Sequence, residues 1–524
     1  MKKLISILMS IIMVAMVMVP AMSVAAADDG YLTIYIEGYG HALYADNENP
    51  SAENQIFPTG DIFSPILDGF GKDSVNLAKA MVTGDYTEYG NGLYDTFSPM
   101  FSAIQLDKNG EASDGSGFGD NMLTKEYTID TSVYPDGKIL FEYDWRLSVE
   151  YTAEILEKFI DRVCEEQEVE KVNLLGRCLG GNIISAYLQN GKNHDKVNDV
   201  VMLIASTEGV DFISALFSGQ IVLDTNAVEN WANYFLSEEG LITDPEMNAF
   251  VTSLVTLINE LKILGLGIDF VQTILDKVKD NVLVRVVRES FGSCPSFWSM
   301  VSDEYFEDAI NFIFPTDEIK AEYKGLIDKA YSFHDNVQLK ARDTMKEFQA
   351  KGHDIMVISK YNYANYPLSK DAFAQTDGTA LTSATSFGAV CADYESTLSA
   401  EYIAGMSAED KKYLSPDNII DASTCILPDT TWFIKNCYHN NFPEAMDQLI
   451  VKFMNSDNMT VFSDPTYPQF VDYDLETGTI SPVVAPDAGK ESFSEALSVY
   501  INFIRNFVAL IVKLFGEEIV KTAA

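Results

Sequence analysis

The chain has 524 residues, 47% of them apolar, and sets 36 lysines and arginines against 78 aspartates and glutamates, a formal net charge of −42. So much apolar residue in so long a chain can build a large packed core, which argues against a disordered, fibrous or disulfide-stapled miniature protein. So negative a surface repels phosphate backbones and anionic headgroups, which argues against nucleic acid and acidic membranes as partners.

In chain order, residues 1–27 read as a secretory signal. Lys2 and Lys3 precede an apolar run, Leu4 to Val19, whose only polar residues are Ser6 and Ser10, and Ala25-Ala26-Ala27 offers small residues at a cleavage site. Cleavage is expected near Ala27, giving a secreted or cell-surface-associated protein in which disulfides are permitted without being required. The run ends at Pro20, just short of a membrane span.

Residues 28–205 alternate strand-like and helical patterns. Leu32 to Glu37, Ile139 to Tyr143, Val172 to Leu175 and Val200 to Ala205 predict short buried strands, and Tyr151 to Glu166 predicts a helix through Ile155, Phe159 and Val163. This alternation predicts a parallel sheet with crossover helices. Residues 109–120, rich in Gly, Ser and Asp, predict a solvent loop.

Residues 206–350 break the alternation with helical patterns. Among these, Phe250 to Val278 shows apolar residues at three- and four-residue steps around an interruption at Gly265 and Gly267. The stretch is expected to be a helical cap or lid inserted between strands of one α/β core. Strand patterns resume at Asp354 to Ser359 and Thr430 to Ile434, so 351–485 reads as the second part of that core. In 486–524, Glu491 to Val520 predicts an amphipathic helix with Phe493, Leu497, Tyr500, Ile504, Phe507 and Ile511 on its apolar face. It is expected to pack on its own domain; the other reading is self-association or attachment to a cell-surface partner.

The chemistry centres on Gly176-Arg177-Cys178-Leu179-Gly180, which stands between the apolar strand at Val172 and a helix-forming run at Asn182-Ile183-Ile184. A strand, a glycine-flanked turn and a helix are what a nucleophile elbow requires, because the strained central residue leaves no room for neighbouring side chains. The helix N-terminus also favours a thiolate, so Cys178 is the candidate nucleophile. The alternative is a structural thiol in a tight turn.

A nucleophile needs a base, and the base an orienting acid. Of His41, His194, His334, His353 and His439, only His439 lies in a loop beyond a late strand, Thr431-Trp432-Phe433-Ile434, which reads as the final one. Asp377, in the turn Thr376-Asp377-Gly378-Thr379, is the candidate acid, with Asp393 and Asp421 in reserve. The oxyanion hole is expected from the backbone N–H of Leu179 and that of Tyr39 in the Gly38-Tyr39-Gly40 bend, with Gly40 as the alternative to Tyr39. No His-x-x-x-His or paired-cysteine spacing suggests a metal, and no cofactor is expected.

These residues resemble a known family. Tyr143-Asp144-Trp145-Arg146 is similar to a signature of the lecithin:cholesterol acyltransferase family, within the α/β-hydrolase superfamily. Glu37-Gly38-Tyr39-Gly40 resembles its oxyanion loop, Pro295-Ser296-Phe297-Trp298 a cap segment, and Asp377-Gly378-Thr379 its acid loop. The similarity is patchy over residues 31–455, and Cys178 stands where the family has serine. The resemblance implies an α/β-hydrolase fold and acyl transfer from a lipid-like ester to water or an alcohol.

The expected activity is therefore that of a secreted acyl-ester hydrolase or O-acyltransferase. Cys178, His439 and Asp377 would form the triad, Tyr39 and Leu179 the oxyanion hole, and a lipid or other acyl ester the substrate. The rival expectations are a catalytically silent binding or attachment protein on the same fold, and a Cys178 consumed in a disulfide. Cys425 and Cys437, which flank the late strand, are expected to pair.

Overall fold

Val172–Arg177 is buried at all six positions, as a strand covered on both faces must be. It lies inside a nine-stranded sheet in a structure, a computed structural model, that describes residues 30–57, 74–119, 122–228, 230, 263–475 and 477–485. In chain order the strands are β1 (Thr33–Ile36), β2 (Leu43–Tyr44), β3 (Gln55–Phe57), β4 (Ile129–Asp130), β5 (Lys138–Phe141), β6 (Val172–Arg177) and β7 (Val197–Leu203). They continue with β8 (Asp354–Tyr361), β9 (Val390–Cys391), β10 (Ile420–Asp421), β11 (Thr431–Lys435), β12 (Phe470–Asp474) and β13 (Thr479–Pro482).

The main sheet runs β13-β12-β11-β8-β7-β6-β1-β5-β4, and β2/β3 and β9/β10 form two small side sheets. Every neighbour in the main sheet is parallel except at the rims, where β4 joins β5 and β13 joins β12 antiparallel. The two rims were not anticipated. The strand at Thr431 is not the last, because β12 and β13 follow it. Phe-Val-Asp-Tyr-Asp of β12 is interrupted by two aspartates and Thr-Ile-Ser-Pro of β13 is largely exposed, so neither carries the continuous apolar signal that marks a buried strand.

Successive strand residues point to opposite faces, so the sheet feeds two cores. Leu174, Val200, Met202, Ile355 and Val357 enter one cluster, while Leu175, Val201, Leu203, Met356 and Ile358 enter the other. The first face is covered by α1 (Val149–Glu166), α2 (Leu179–Asn190) and helices from residues 206–350. Leu156, Phe159, Ile160 and Val163 of α1, at three- and four-residue spacing, form its buried stripe. The second face is covered by α3 (Glu444–Met454), through Met446, Leu449, Ile450 and Phe453.

Between β7 and β8 the described residues form helices and no strand, as the sequence pattern predicts. Gly265 and Gly267 do not interrupt their helix, which runs Ile263–Val278. The segment 109–120 is more than a solvent loop: Ser116, Gly117, Phe118 and Gly119 are buried, with Gly117 paired to Tyr44 and the Gly119 N–H donating 2.6 Å to Asn47 Oδ1. The signal at 1–27 and the helix at Glu491 to Val520 lie outside the described residues. Among the described residues, no helix is long and apolar enough to cross a membrane.

Candidate active site

Parallel strands end together, so the loops at their carboxyl ends converge, and open α/β sheets place their sites there. Cys178 follows β6, Gly38 and Tyr39 follow β1, Asp377 lies in the loop after β8, and His439 in the loop after β11. These loops bring all four segments to one edge.

Cys178 sits at the N-terminus of α2 with φ 50° and ψ −117°, a region that residues with a Cβ rarely occupy. The turn is held on both sides. Cys178 N–H donates 3.0 Å to Leu203 O, and Cys178 O accepts from Gly181 N–H at 2.9 Å and from Ser206 N–H at 3.3 Å. The glycines after it are required by contact: a Cβ on Gly180 would lie 2.1 Å from Ile36 O, and one on Gly181 2.4 Å from the Ala205 Cβ. Thus β1 and β7 press directly on the first turn of α2. Gly38 lies against the nucleophile too, where an added Cβ would stand 3.2 Å from Cys178 Cβ.

Asp377 and His439 are joined twice. The His439 ring Nδ1 meets Asp377 Oδ2 at 2.7 Å, and the His439 backbone N–H donates to Asp377 O at 2.8 Å. The other carboxylate oxygen, Oδ1, accepts from the Thr379 and Ala380 N–H groups at 2.9 and 2.7 Å. Gly378, at φ 89°, turns the chain beneath Tyr438, whose ring a Cβ there would strike at 2.4 Å. With Nδ1 engaged by Asp377, Nε2 is left to face Cys178, to which His439 is hydrogen-bonded.

The electrostatics separate charge across that bond. Burial disfavours the charged form of each partner, yet the His439 imidazole is pushed up to about 9 because the Asp377 carboxylate and the Cys178 sulfur outweigh the desolvation. The Cys178 thiol is held below its ordinary value of 9.0: burial opposes this, and the His439 hydrogen bond and charge, Arg177 and the Leu179 N–H overcome it. Asp377 is likewise held low against its burial, by His439, the Ala380 N–H and Lys360. Both shifts act in the same sense, moving the shared proton from the Cys178 sulfur toward His439.

Behind the β1 loop stands the Tyr-Asp-Trp-Arg segment. Tyr143 Oη donates 2.8 Å to Glu37 O and Trp145 Nε1 donates 2.9 Å to His41 O, so the two aromatic residues fix both ends of the Glu37–His41 bend. Arg146 is fully buried and bidentate to Asp144, at 3.0 and 2.7 Å, with Nη1 3.0 Å from Ser116 Oγ. Tyr39 packs edge-on against Trp145 and Phe297, at 4.7 and 5.5 Å between ring centroids, which carries Pro295-Ser296-Phe297-Trp298 to the same loop.

The other candidates lie elsewhere. Asp421 is bonded to Tyr402 Oη and Ser423, and Asp393 accepts from Gln375 through its backbone oxygen. His353 stacks on Phe348, His334 lies between Asp303 and Asp335, and His194 meets Tyr187 O. His41 is buried under the β1 loop beside Phe118 and Tyr143, and burial lowers its basicity. The expected Cys425–Cys437 pair does not form: both are free thiols, and they are buried in different clusters, Cys425 with Tyr361 and Phe433 and Cys437 with Trp432 and Ile434.

Three residues around the site escaped the sequence reading: Arg177, Lys360 and Asn440. A lysine directly after the strand-like run Ile355-Met356-Val357-Ile358-Ser359 and before Tyr361 was the available signal, because a buried ammonium must be bonded to something. Among the described residues, no group of three or more His, Cys, Asp and Glu side chains is disposed to hold a metal ion. Compared with known proteins, the chain matches no family model, no curated protein and no solved structure.

Proposed function

We propose that the protein is an exported acyl-ester hydrolase or O-acyltransferase of α/β-hydrolase type, working through a Cys178–His439–Asp377 triad. One observation carries the reading: a cysteine in a strained strand-to-helix turn, bonded to a histidine that is itself bonded to a buried aspartate. The helices described within residues 206–350 would form part of a cap that receives the acyl chain. Residues 1–27 would direct export and be removed by cleavage near Ala27. The Tyr-Asp-Trp-Arg segment supports a likeness to the lecithin:cholesterol acyltransferase family, since here it braces the loop that would supply an oxyanion donor.

In the first half-reaction the Cys178 thiolate attacks the ester carbonyl carbon, forming the S–C bond and moving the carbonyl electron pair onto oxygen. The N–H groups of Leu179 and Tyr39 stabilise that oxyanion. Collapse breaks the bond to the leaving oxygen, which takes the proton from His439 Nε2 and departs as the alcohol, leaving a thioacyl enzyme. In the second, His439 removes a proton from water or an acceptor alcohol, whose oxygen attacks the thioester. Cys178 leaves as thiolate, and the product is an acid or a new ester.

The test is turnover of a chain-length series of p-nitrophenyl esters by the wild type and Cys178→Ala. Loss of roughly 10³-fold or more in the variant is expected, as for removal of a triad nucleophile. Undetectable turnover in the wild type, or turnover unchanged in Cys178→Ala, overturns the reading in favour of a catalytically silent binding protein.

A further inference from the structure

Lys360 is the penultimate residue of β8 and has no exposed surface. A buried ammonium has three N–H donors and no water to satisfy them. Here all three are used on one loop: Lys360 Nζ donates to the carbonyl oxygens of Tyr438 at 3.0 Å, His439 at 3.2 Å and Asn441 at 2.6 Å. These are the carbonyls on and around the histidine of the site. The ammonium also lies 4.2 Å from the centroid of the Phe442 ring, and the Arg177 guanidinium lies 4.1 Å from the same ring, where both meet aromatic electron density. Arg177, one residue before Cys178, reaches the loop again through Nη2, 3.0 Å from Asn440 Oδ1. The histidine loop is therefore tied to the acid-bearing strand by Lys360 and to the nucleophile strand by Arg177.

We propose that Lys360 is a positioning residue for the Cys178–His439–Asp377 site: its buried ammonium clamps the loop that carries His439 and so holds the imidazole between Asp377 and Cys178. This rests on the triad reading above. Burial lowers the Lys360 pKa, Cys437 and Asp377 act against this and Arg177 with it, and Asp447 faces it as well; the three carbonyl acceptors hold the amine protonated, since a neutral amine has only two N–H donors. Those around Cys178 are His439, Arg177 and Tyr143, with Glu37 and Tyr35 on β1 and its exit facing Arg177. Lys360 helps hold Asp377 ionised. An ionised Asp377 is what sustains the imidazolium, and the imidazolium is what sustains the thiolate. The main effect of Lys360 is through position: with the loop released, the imidazole is held less closely against Asp377 and Cys178, and Cys178 moves toward the neutral thiol.

The test measures iodoacetamide alkylation of Cys178, read by peptide mass mapping, and the thiolate ultraviolet band, both as functions of pH. It compares the wild type with Lys360→Met and Lys360→Arg. Lys360→Met keeps most of the side-chain length without charge or donors, and its thiolate titration is expected to move up by about one pH unit, slowing alkylation about tenfold on the acid side of the transition. Lys360→Arg restores a cation and donors and is expected to fall within about threefold of the wild type.

A folded Lys360→Met with wild-type titration overturns the proposal. So does a folded Lys360→Arg as impaired as Lys360→Met. If Lys360→Met fails to fold, Lys360→Gln, which keeps N–H donors without charge, is held to the same criterion. A series in which only Lys360→Arg folds also overturns the proposal, because it reduces the lysine to a stability role. Failure of the triad itself reads differently: wild-type Cys178 would then be alkylated no faster than a free peptide thiol, whatever residue stands at 360.

Discussion

At the scale of single residues, the site is governed by who holds the proton between Cys178 and His439. In the proposed acyl transfer, the working form would be a thiolate to attack and an imidazolium to protonate the leaving oxygen. It exists above the lowered thiol value and below about 9, where His439 gives up its proton. The profile of kcat/KM against pH is therefore expected to rise on the acid side as the thiol ionises and to fall on the basic side near 9, both limbs belonging to the coupled pair. A profile still rising above pH 10 would contradict it. Asp377→Asn removes the carboxylate that does most to raise the imidazole, so His439 should move toward its ordinary 6.5 and the basic limb should shift acidward. The expected cost in kcat is roughly 10²- to 10⁴-fold, measured against the same esters.

At the scale of elements, close approach and buried charge decide the geometry. Gly180 and Gly181 let β1 and β7 touch the first turn of α2, and no side chain fits in either gap. Gly180→Ala places a methyl group against Ile36 O and is expected to cost about 2–3 kcal/mol, the order seen for overpacked cores, read as a lower urea midpoint at unchanged slope. Arg146→Met acts one layer further out. It strands the Asp144 carboxylate, whose side chain is only 9% exposed, and frees Ser116 from its contact with the guanidinium. Breaking such a pair from one side costs about 3 kcal/mol or more. Because Tyr143 and Trp145 flank the loop that would carry the oxyanion donor, kcat should fall together with stability.

For the whole molecule, the charge of −42 acts at long range and the site does not depend on it. The proposed chemistry would draw on the Cys178 sulfur, the His439 imidazole, the Asp377 carboxylate and backbone N–H groups, with Arg177 beside Cys178 and Lys360 beside Asp377. The surplus of negative charge keeps the chain soluble and repels anionic ligands. Neutral ester substrates are therefore expected to outperform anionic ones of equal chain length in kcat/KM at low ionic strength. The gap should narrow as salt shortens the screening length toward about 8 Å at 0.15 M. Equal values for both ester types at low salt would contradict it.

Much of this was legible in the chain because it is local. The buried strands at Leu32, Val172 and Asp354 announce themselves by continuous apolar residues, the turn at Cys178 by its glycines, and Asp377 and His439 by their order after the nucleophile. The antiparallel rims β4 and β13 were not legible. An edge strand is half exposed and short, so its pattern resembles a loop, and only pairing with a neighbour distant in sequence makes it a strand. The packing of residues 116–119 beneath Arg146 and the free state of Cys425 and Cys437 depended in the same way on what lies across space. Lys360 makes the division sharpest. Its sequence position says that a charge is buried, but which three carbonyls satisfy it is set by where β8 ends relative to the loop after β11, and that register exists only once the sheet has formed.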